Sequence, residues 1–112
     1  MSLPPKPQDV PDKMGGLLRW YSKNRKILHP LVLASHFHAE FEKIHPFVDG
    51  NGRVGRLLMN FIMHKHNFPM INIPKKRKFK YCEVLNAAQY KSNLEPFVKF
   101  LINILKKDEL KF

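Results

Sequence analysis

Apolar residues recur along this chain at helical spacing, and no segment shows the strict alternation of a half-buried strand. Met14, Leu17, Leu18 and Tyr21 stand at i, i+3, i+4 and i+7, which gives a first helix one apolar face. Pro11 suits its first turn, where the missing N–H costs nothing, while Gly15 and Gly16 weaken it. Leu33, Phe37, Phe41 and Ile44 mark a second helix from Pro30 to about Ile44. Pro46 ends it by pushing His45 out of the α region. Val54, Leu57, Leu58, Phe61 and Ile62 predict one side of a third helix that opens near Gly52 or Arg53.

The segment NFPMINIPKKRKFK breaks the pattern with two prolines and ends basic, so it reads as a connecting loop. Tyr81, Val84, Leu85 and Ala88 predict a short fourth helix. Ser92 or Asn93 is the natural cap of a fifth, with Pro96 in its first turn and Phe97, Leu101, Ile104 and Leu105 buried. The fold class is all-α. Ahead of the helices, SLPPKPQDVP holds four prolines in ten residues, so residues 1–10 form an extended arm and residues 11–112 the helical body.

Composition narrows the picture. At 112 residues the chain suits one domain with a single modest core. Lys and Arg number 20 against 9 acids, a formal net charge of +11. That excess attracts phosphates, whether of nucleotides, nucleic acids or lipid heads. Cys82 is the sole cysteine, so no internal disulfide forms and a reducing compartment is expected. The apolar runs are too short to span a bilayer, and no signal-peptide core follows Met1. The expected location is cytoplasmic, with no membrane partner.

Chemistry concentrates in HPFVDGNGRVGR, His45 to Arg56. A turn would need the glycines but not the arginines, and a helix the reverse. At the start of a helix both make sense. The first N–H groups there lack internal partners and the dipole is positive. Gly50 and Gly52 let the backbone wrap an anion closely, and a phosphate fits. Arg53 and Arg56 oppose the dipole unless a polyanion sits between them, which favours a di- or triphosphate. Asp49 would be repelled by that phosphate unless Mg²⁺ bridged the two. Histidine titrates near neutrality, so His45 across the loop can take a proton from a hydroxyl. Together these residues describe phosphoryl or nucleotidyl transfer, without saying which phosphorus is attacked.

The same stretch resembles the signature of the Fic family, His-Pro-Phe-x-Asp/Glu-Gly-Asn-Gly-Arg-x-x-Arg, at every specified position. The flanks agree as well: HPLVLASHFHAEFEKI before it and RLLMNFIM after it. The resemblance implies a Fic-like helical bundle with the active-site loop between two central helices. It implies AMP transfer from ATP to a Ser, Thr or Tyr hydroxyl of a target protein, with pyrophosphate released. His45 is then the general base and Asp49 the Mg²⁺ ligand. Gly50, Asn51 and Gly52 form the anion hole, Arg53 meets the α/β-phosphates, and Arg56 the terminal phosphate. Phe47 anchors the loop on the core. Adenine falls near the fourth helix, at Tyr81 and Leu85. Two family features do not appear: the upstream β-hairpin flap that aligns the target, and the inhibitory helix, since SNLEP around Ser92 has the wrong spacing. The chain is therefore expected to be the C-terminal, catalytic part of a longer protein.

Other readings stay open beside this one. A Fic relative could use a different nucleotide donor or transfer phosphate, and +11 permits a basic nucleic-acid-binding helical module. Zinc is disfavoured for His29, His36, His38, His64, His66 and Glu42, because the paired histidines stand two apart and point to different sides of a helix. PKKRKFK, Pro74 to Lys80, reads as a solvated loop, with contact to an acidic target or nucleic acid as the alternative. Trp20 and Tyr21 read as core or core-edge packing.

Overall fold

In the computed structural model, residues 5–109 are described, and they contain five α-helices, two 3-10 turns and no strand. Helix α1 spans Val10–Asn24, α2 Pro30–Ile44, α3 Asn51–Lys65, α4 Lys78–Tyr90 and α5 Glu95–Glu109. The all-α reading is correct. None of the helices is long and apolar enough to cross a membrane, among the described residues.

Helix α2 is the central element, packed by α1, α3, α4 and α5. Its predicted stripe of Leu33, Phe37, Phe41 and Ile44 is buried, but so are Leu31, Ala34, Ser35, His38 and Ala39. A helix covered on most sides needs its polar groups satisfied, and at Ser35 and His29 they are met locally. The Ser35 hydroxyl donates to Leu31 O at 2.6 Å within the helix. At the N-terminus, His29 Nδ1 accepts from the Leu31 N–H at 3.1 Å, with Pro30 in the first turn.

Helix α1 lies on α2 through its aromatic residues. The Trp20 and His36 ring centroids are 4.2 Å apart, and Tyr21 meets Phe37 edge-on at 5.9 Å. Leu17 is buried, whereas Leu18, expected on the same face, is 54% exposed. Trp20 takes the place of Leu18 in the packing, consistent with its core-edge reading. Of the proline-rich arm, residues 1–4 lie outside the described residues, and Pro7–Asp9 winds into a 3-10 turn ahead of α1 rather than running extended.

The buried face of α3 differs from the predicted one. Asn51, Gly55, Met59, Ile62 and Met63 face inward, while Leu57 and Phe61 are 68% and 61% exposed. Gly55 lies at a tight approach to α2, and with that edge turned inward the leucine-rich edge faces solvent. A Cβ at Gly55 would overlap the Glu42 carboxylate and stand 3.2 Å from Phe41 Cδ1. Gly55→Ala is accordingly expected to destabilise the fold by about 1–3 kcal/mol. Adding Glu42→Ala should restore part of that loss, as read by urea melts of the single and double variants.

Beyond α3 the connector is pinned rather than loose. Asn60 Oδ1 accepts the Ile71 N–H at 2.6 Å and its Nδ2 donates to Ile71 O at 2.9 Å, with Ile71 buried. The basic end of the expected loop is a 3-10 turn, Lys75–Arg77, followed directly by α4. Arg77 lies over the Phe100 ring at 5.0 Å, fixing that turn to α5. Ser92 and Asn93 do not cap α5. Ser92 takes φ 50° and the Asn93 N–H donates to Ala87 O, so the pair closes α4. Phe97, Phe100, Leu101 and Ile104 are the buried face of α5.

Candidate functional site

The loop between α2 and α3 is shaped by two left-handed residues. His45, the C-terminal cap of α2, has φ 54° and ψ 59°. A residue before proline ordinarily settles in the extended region, so left-handed geometry at His45 is a local strain of the kind found at working sites. Its N–H still closes α2 onto Phe41 O at 3.0 Å. Gly50, the N-terminal cap of α3, has φ 81°; a Cβ there would meet nothing within 4 Å, so the glycine answers to the backbone angle and not to space.

Asn51 holds the loop between them. Its Oδ1 accepts the Phe47 N–H at 2.9 Å, and its Nδ2 donates to Phe47 O at 2.7 Å. The side chain is 4% exposed. Asn51 therefore turns its amide inward, and only its backbone N–H is available to an anion. Phe47 was expected to anchor the loop with its ring, yet that ring is half exposed and meets Phe41 at a centroid distance of 6.4 Å. The bracing comes mainly from the Phe47 backbone.

His45, Asp49, Gly50, Asn51, Gly52, Arg53 and Arg56 line one open cleft of about 400 Å³, together with Val48. The first intrahelical bond of α3 runs from the Val54 N–H to Gly50 O at 3.0 Å. The N–H groups of the three preceding residues therefore lie at the helix end, where the dipole is positive. Gly52 leaves room for Arg56, whose Nη1 would stand 3.2 Å from a Cβ at that position. Asp49 Oδ1 accepts the Gly50 N–H at 2.8 Å, which orients the carboxylate beside the cradle. Asp49 is the sole acid lining this cleft, and no group of three or more metal-ligating side chains forms among the described residues. Such a donor set suits an ion that arrives with phosphate and keeps most of its shell from phosphate and water, which is the habit of Mg²⁺.

Beneath the cleft lies a network that the motif does not announce. His38 is fully buried on α2, with Nδ1 3.0 Å from Gly55 O on α3 and Nε2 2.6 Å from the Tyr81 hydroxyl on α4. Burial pushes His38 down to about 4, against a weaker upward pull from its bond to Gly55, so the ring is neutral at pH 7. A carbonyl can only accept, so Nδ1 carries the proton and Tyr81 donates to Nε2. Tyr81 is held protonated by burial, with Glu42 pushing the same way and Arg56 opposing. Glu42, three residues before His45, is half-buried, and its Oε1 has no hydrogen-bond partner. Burial raises its pKa, while Arg56 and His45 pull it back.

The His38 linkage has a measurable sign. Its folded pKa lies below the unfolded value of 6.5, so the unfolded chain binds the proton first as pH falls. The stability contributed by neutral His38 is present above pH 6.5 and is lost progressively towards pH 4. The loss between pH 7 and pH 5 should be about 2 kcal/mol in urea unfolding, and His38→Gln should flatten that part of the profile.

Of the two residues expected on the adenine side, Tyr81 is 8% exposed with its hydroxyl committed to His38, so only a small part of its ring is open. Leu85 is half-buried on α4 and does not line the motif cleft. His38, Glu42 and Gly55 were missed as parts of the site. The motif's flank carried His38 and Glu42, but the sequence offered them only as metal ligands, and Gly55 stands at a position the motif leaves free.

Comparisons with known proteins bear on the family and the fold. A sequence profile described as Fic/DOC family matches residues 1–63. The chain is 38% identical over 106 residues to the Protein adenylyltransferase Fic of Drosophila persimilis, covering 94% of this chain and 21% of that protein. It is 40% identical over 100 residues to the Protein adenylyltransferase Fic of Nematostella vectensis, covering 88% of this chain and 23% of that one. The chain thus spans about a fifth of the length of the curated relatives it matches. A Fic domain containing signaling protein from Bacteroides thetaiotaomicron superposes with a TM-score of 0.84 at 34% identity, covering 91% of this chain and 44% of that one. Fic-1 from C. elegans, residues 134–508, gives a TM-score of 0.83 at 29% identity, with 96% and 32% covered.

Proposed function

The chain belongs to the Fic/DOC family, and from that premise we propose that it transfers AMP from ATP to a Ser, Thr or Tyr hydroxyl of a target protein, in the cytoplasm and with Mg²⁺. The observation that carries this reading is the convergence, in one cleft, of a histidine, a single acid, a glycine-built helix start and two arginines. The relatives named as adenylyltransferases support it from outside the molecule.

In this reading the target hydroxyl oxygen attacks the α-phosphorus of ATP, and His45 takes its proton. The bond from the α-phosphorus to the oxygen bridging to the β-phosphate breaks, and pyrophosphate leaves with the bonding pair. The N–H groups at the start of α3 and the Arg53 guanidinium stabilise charge on the phosphates near the reacting centre. Arg56, folded over Gly52, holds the far end of the polyphosphate. Asp49 would hold Mg²⁺ against the phosphates, and what that ion supplies is neutralisation of their charge. The Asn51 side chain and His38 act at a distance from the reacting atoms; they set the loop and the α3 start at fixed positions.

The test is label transfer to protein in a cell extract from ATP labelled at the α- or, separately, at the γ-phosphate. Label from the α-position alone is the expected result. Label from the γ-position alone would make the protein a phosphotransferase with the donor reversed. No label from either would overturn the reading for ATP.

A further inference from the structure

Next to the motif cleft is a second, smaller concavity of about 230 Å³, lined by Arg56, Ile73, Pro74, Lys75, Lys78 and Tyr81. The two share Arg56. Half of its lining residues are cationic, and no acid is among them. The run Lys75–Lys80 is thereby divided by its contacts. Lys80 pairs with Glu83 at 2.9 Å and Arg77 lies on the Phe100 ring, both away from the concavity. Lys75 and Lys78 line it, and neither they nor Arg56 enter an ion pair among the described residues. Glu42 acts on Arg56 electrostatically but forms no ion pair with it. Three like charges around one small hollow repel one another unless an anion of high charge lies between them.

We propose that this concavity is a binding site for inorganic pyrophosphate, the leaving group of the transfer, which moves past Arg56 to be held by Lys75 and Lys78. The inference rests on the AMP-transfer reading, which alone supplies pyrophosphate at this position. Arg56 ends the row of phosphate-binding groups that begins at Gly50, so the departing group reaches this hollow by following the direction of its own chain. Lysines meet phosphate as mobile point charges, which suits a product that must be released. Ile73 and Pro74 form an apolar wall, and Tyr81, tied to His38, gives the hollow a fixed side. Because Arg56 serves both clefts, pyrophosphate held here competes with the next ATP.

The experiment is calorimetric titration of the 112-residue chain with inorganic pyrophosphate and, separately, with AMP. It compares the unsubstituted chain, Lys75→Ala/Lys78→Ala, and Lys106→Ala/Lys107→Ala on α5, which removes the same charge elsewhere. Pyrophosphate affinity should fall by about tenfold or more in the first variant and hold in the second, with AMP affinity unchanged in both. Retained AMP binding also reports an intact fold. Equal loss in both variants, no loss in either, or no pyrophosphate binding by the unsubstituted chain would overturn the site. An AMP-transfer assay run alongside separates the two ideas. Transfer with pyrophosphate binding indifferent to Lys75 and Lys78 sinks the site and keeps the activity. Lysine-dependent pyrophosphate binding without transfer keeps the site and sinks the activity.

Discussion

His45→Ala is expected to lower AMP transfer by about 10²–10⁴-fold while ATP affinity stays within about twofold of the parent. The separation follows from where the residue stands. His45 belongs to the end of α2, and its side chain is exposed at the cleft, whereas the proposed phosphate cradle lies at the start of α3. Removing the imidazole takes away the proton acceptor and leaves each phosphate-binding group in position. Alanine also keeps the backbone cost of a left-handed residue, so stability should change little. Transfer rates and calorimetric ATP binding, measured on the same preparation, check both halves. A variant that transfers at the parental rate removes His45 from the reaction; one that has lost ATP binding makes it part of the cradle.

Asn51→Ala is expected to do the opposite, losing ATP binding and transfer together. The substitution removes both hydrogen bonds to Phe47, and with them the tie that fixes loop to helix start. A buried amide lost from such a bracket costs about 1–3 kcal/mol of stability. The larger effect is on the cleft, since Gly50 and the first N–H groups of α3 hang from the same bracket. ATP affinity should drop by about tenfold or more. Asn51→Asp is the informative companion. It still accepts from the Phe47 N–H, cannot donate to Phe47 O, and brings a negative charge beneath an anion site. It should bind ATP no better than the alanine variant. Parental ATP affinity in Asn51→Ala would show that the loop holds its shape without the bracket.

The helices were legible because their apolar residues recur at the right period, and α2 begins and ends where Pro30 and Pro46 say it must. The motif cleft was legible for another reason: its groups lie within twelve residues, so local sequence carries most of the geometry. What escaped the reading depends on contacts between elements. Leu57 and Phe61 look buried by period, but α3 turns its Gly55 edge to α2 and leaves them facing solvent. Ser92 and Asn93 have the chemistry of a cap, yet the left-handed turn at Ser92 uses the pair to finish α4. His38 joins Gly55 and Tyr81 across three helices, and no spacing rule reveals a bond between residues so far apart in sequence. The family resemblance makes Asn51 an anion-hole residue; its inward turn follows from Phe47 being four residues earlier on a bent loop.

The burial of α2 on most of its sides has a dynamic consequence. Amide protons in a helix covered by four neighbours exchange with solvent only when much of the molecule opens, while those of a helix resting on one neighbour exchange through local fraying. The α2 amides around Phe37 and Phe41 should therefore be among the slowest in deuterium exchange, and those of α1 faster. His45 is the last link of that slow-exchanging rod, and its N–H is bonded to Phe41 O. The proton acceptor proposed above would then be carried by the part of the molecule that opens least often, and breathing of the outer helices would leave its position unchanged.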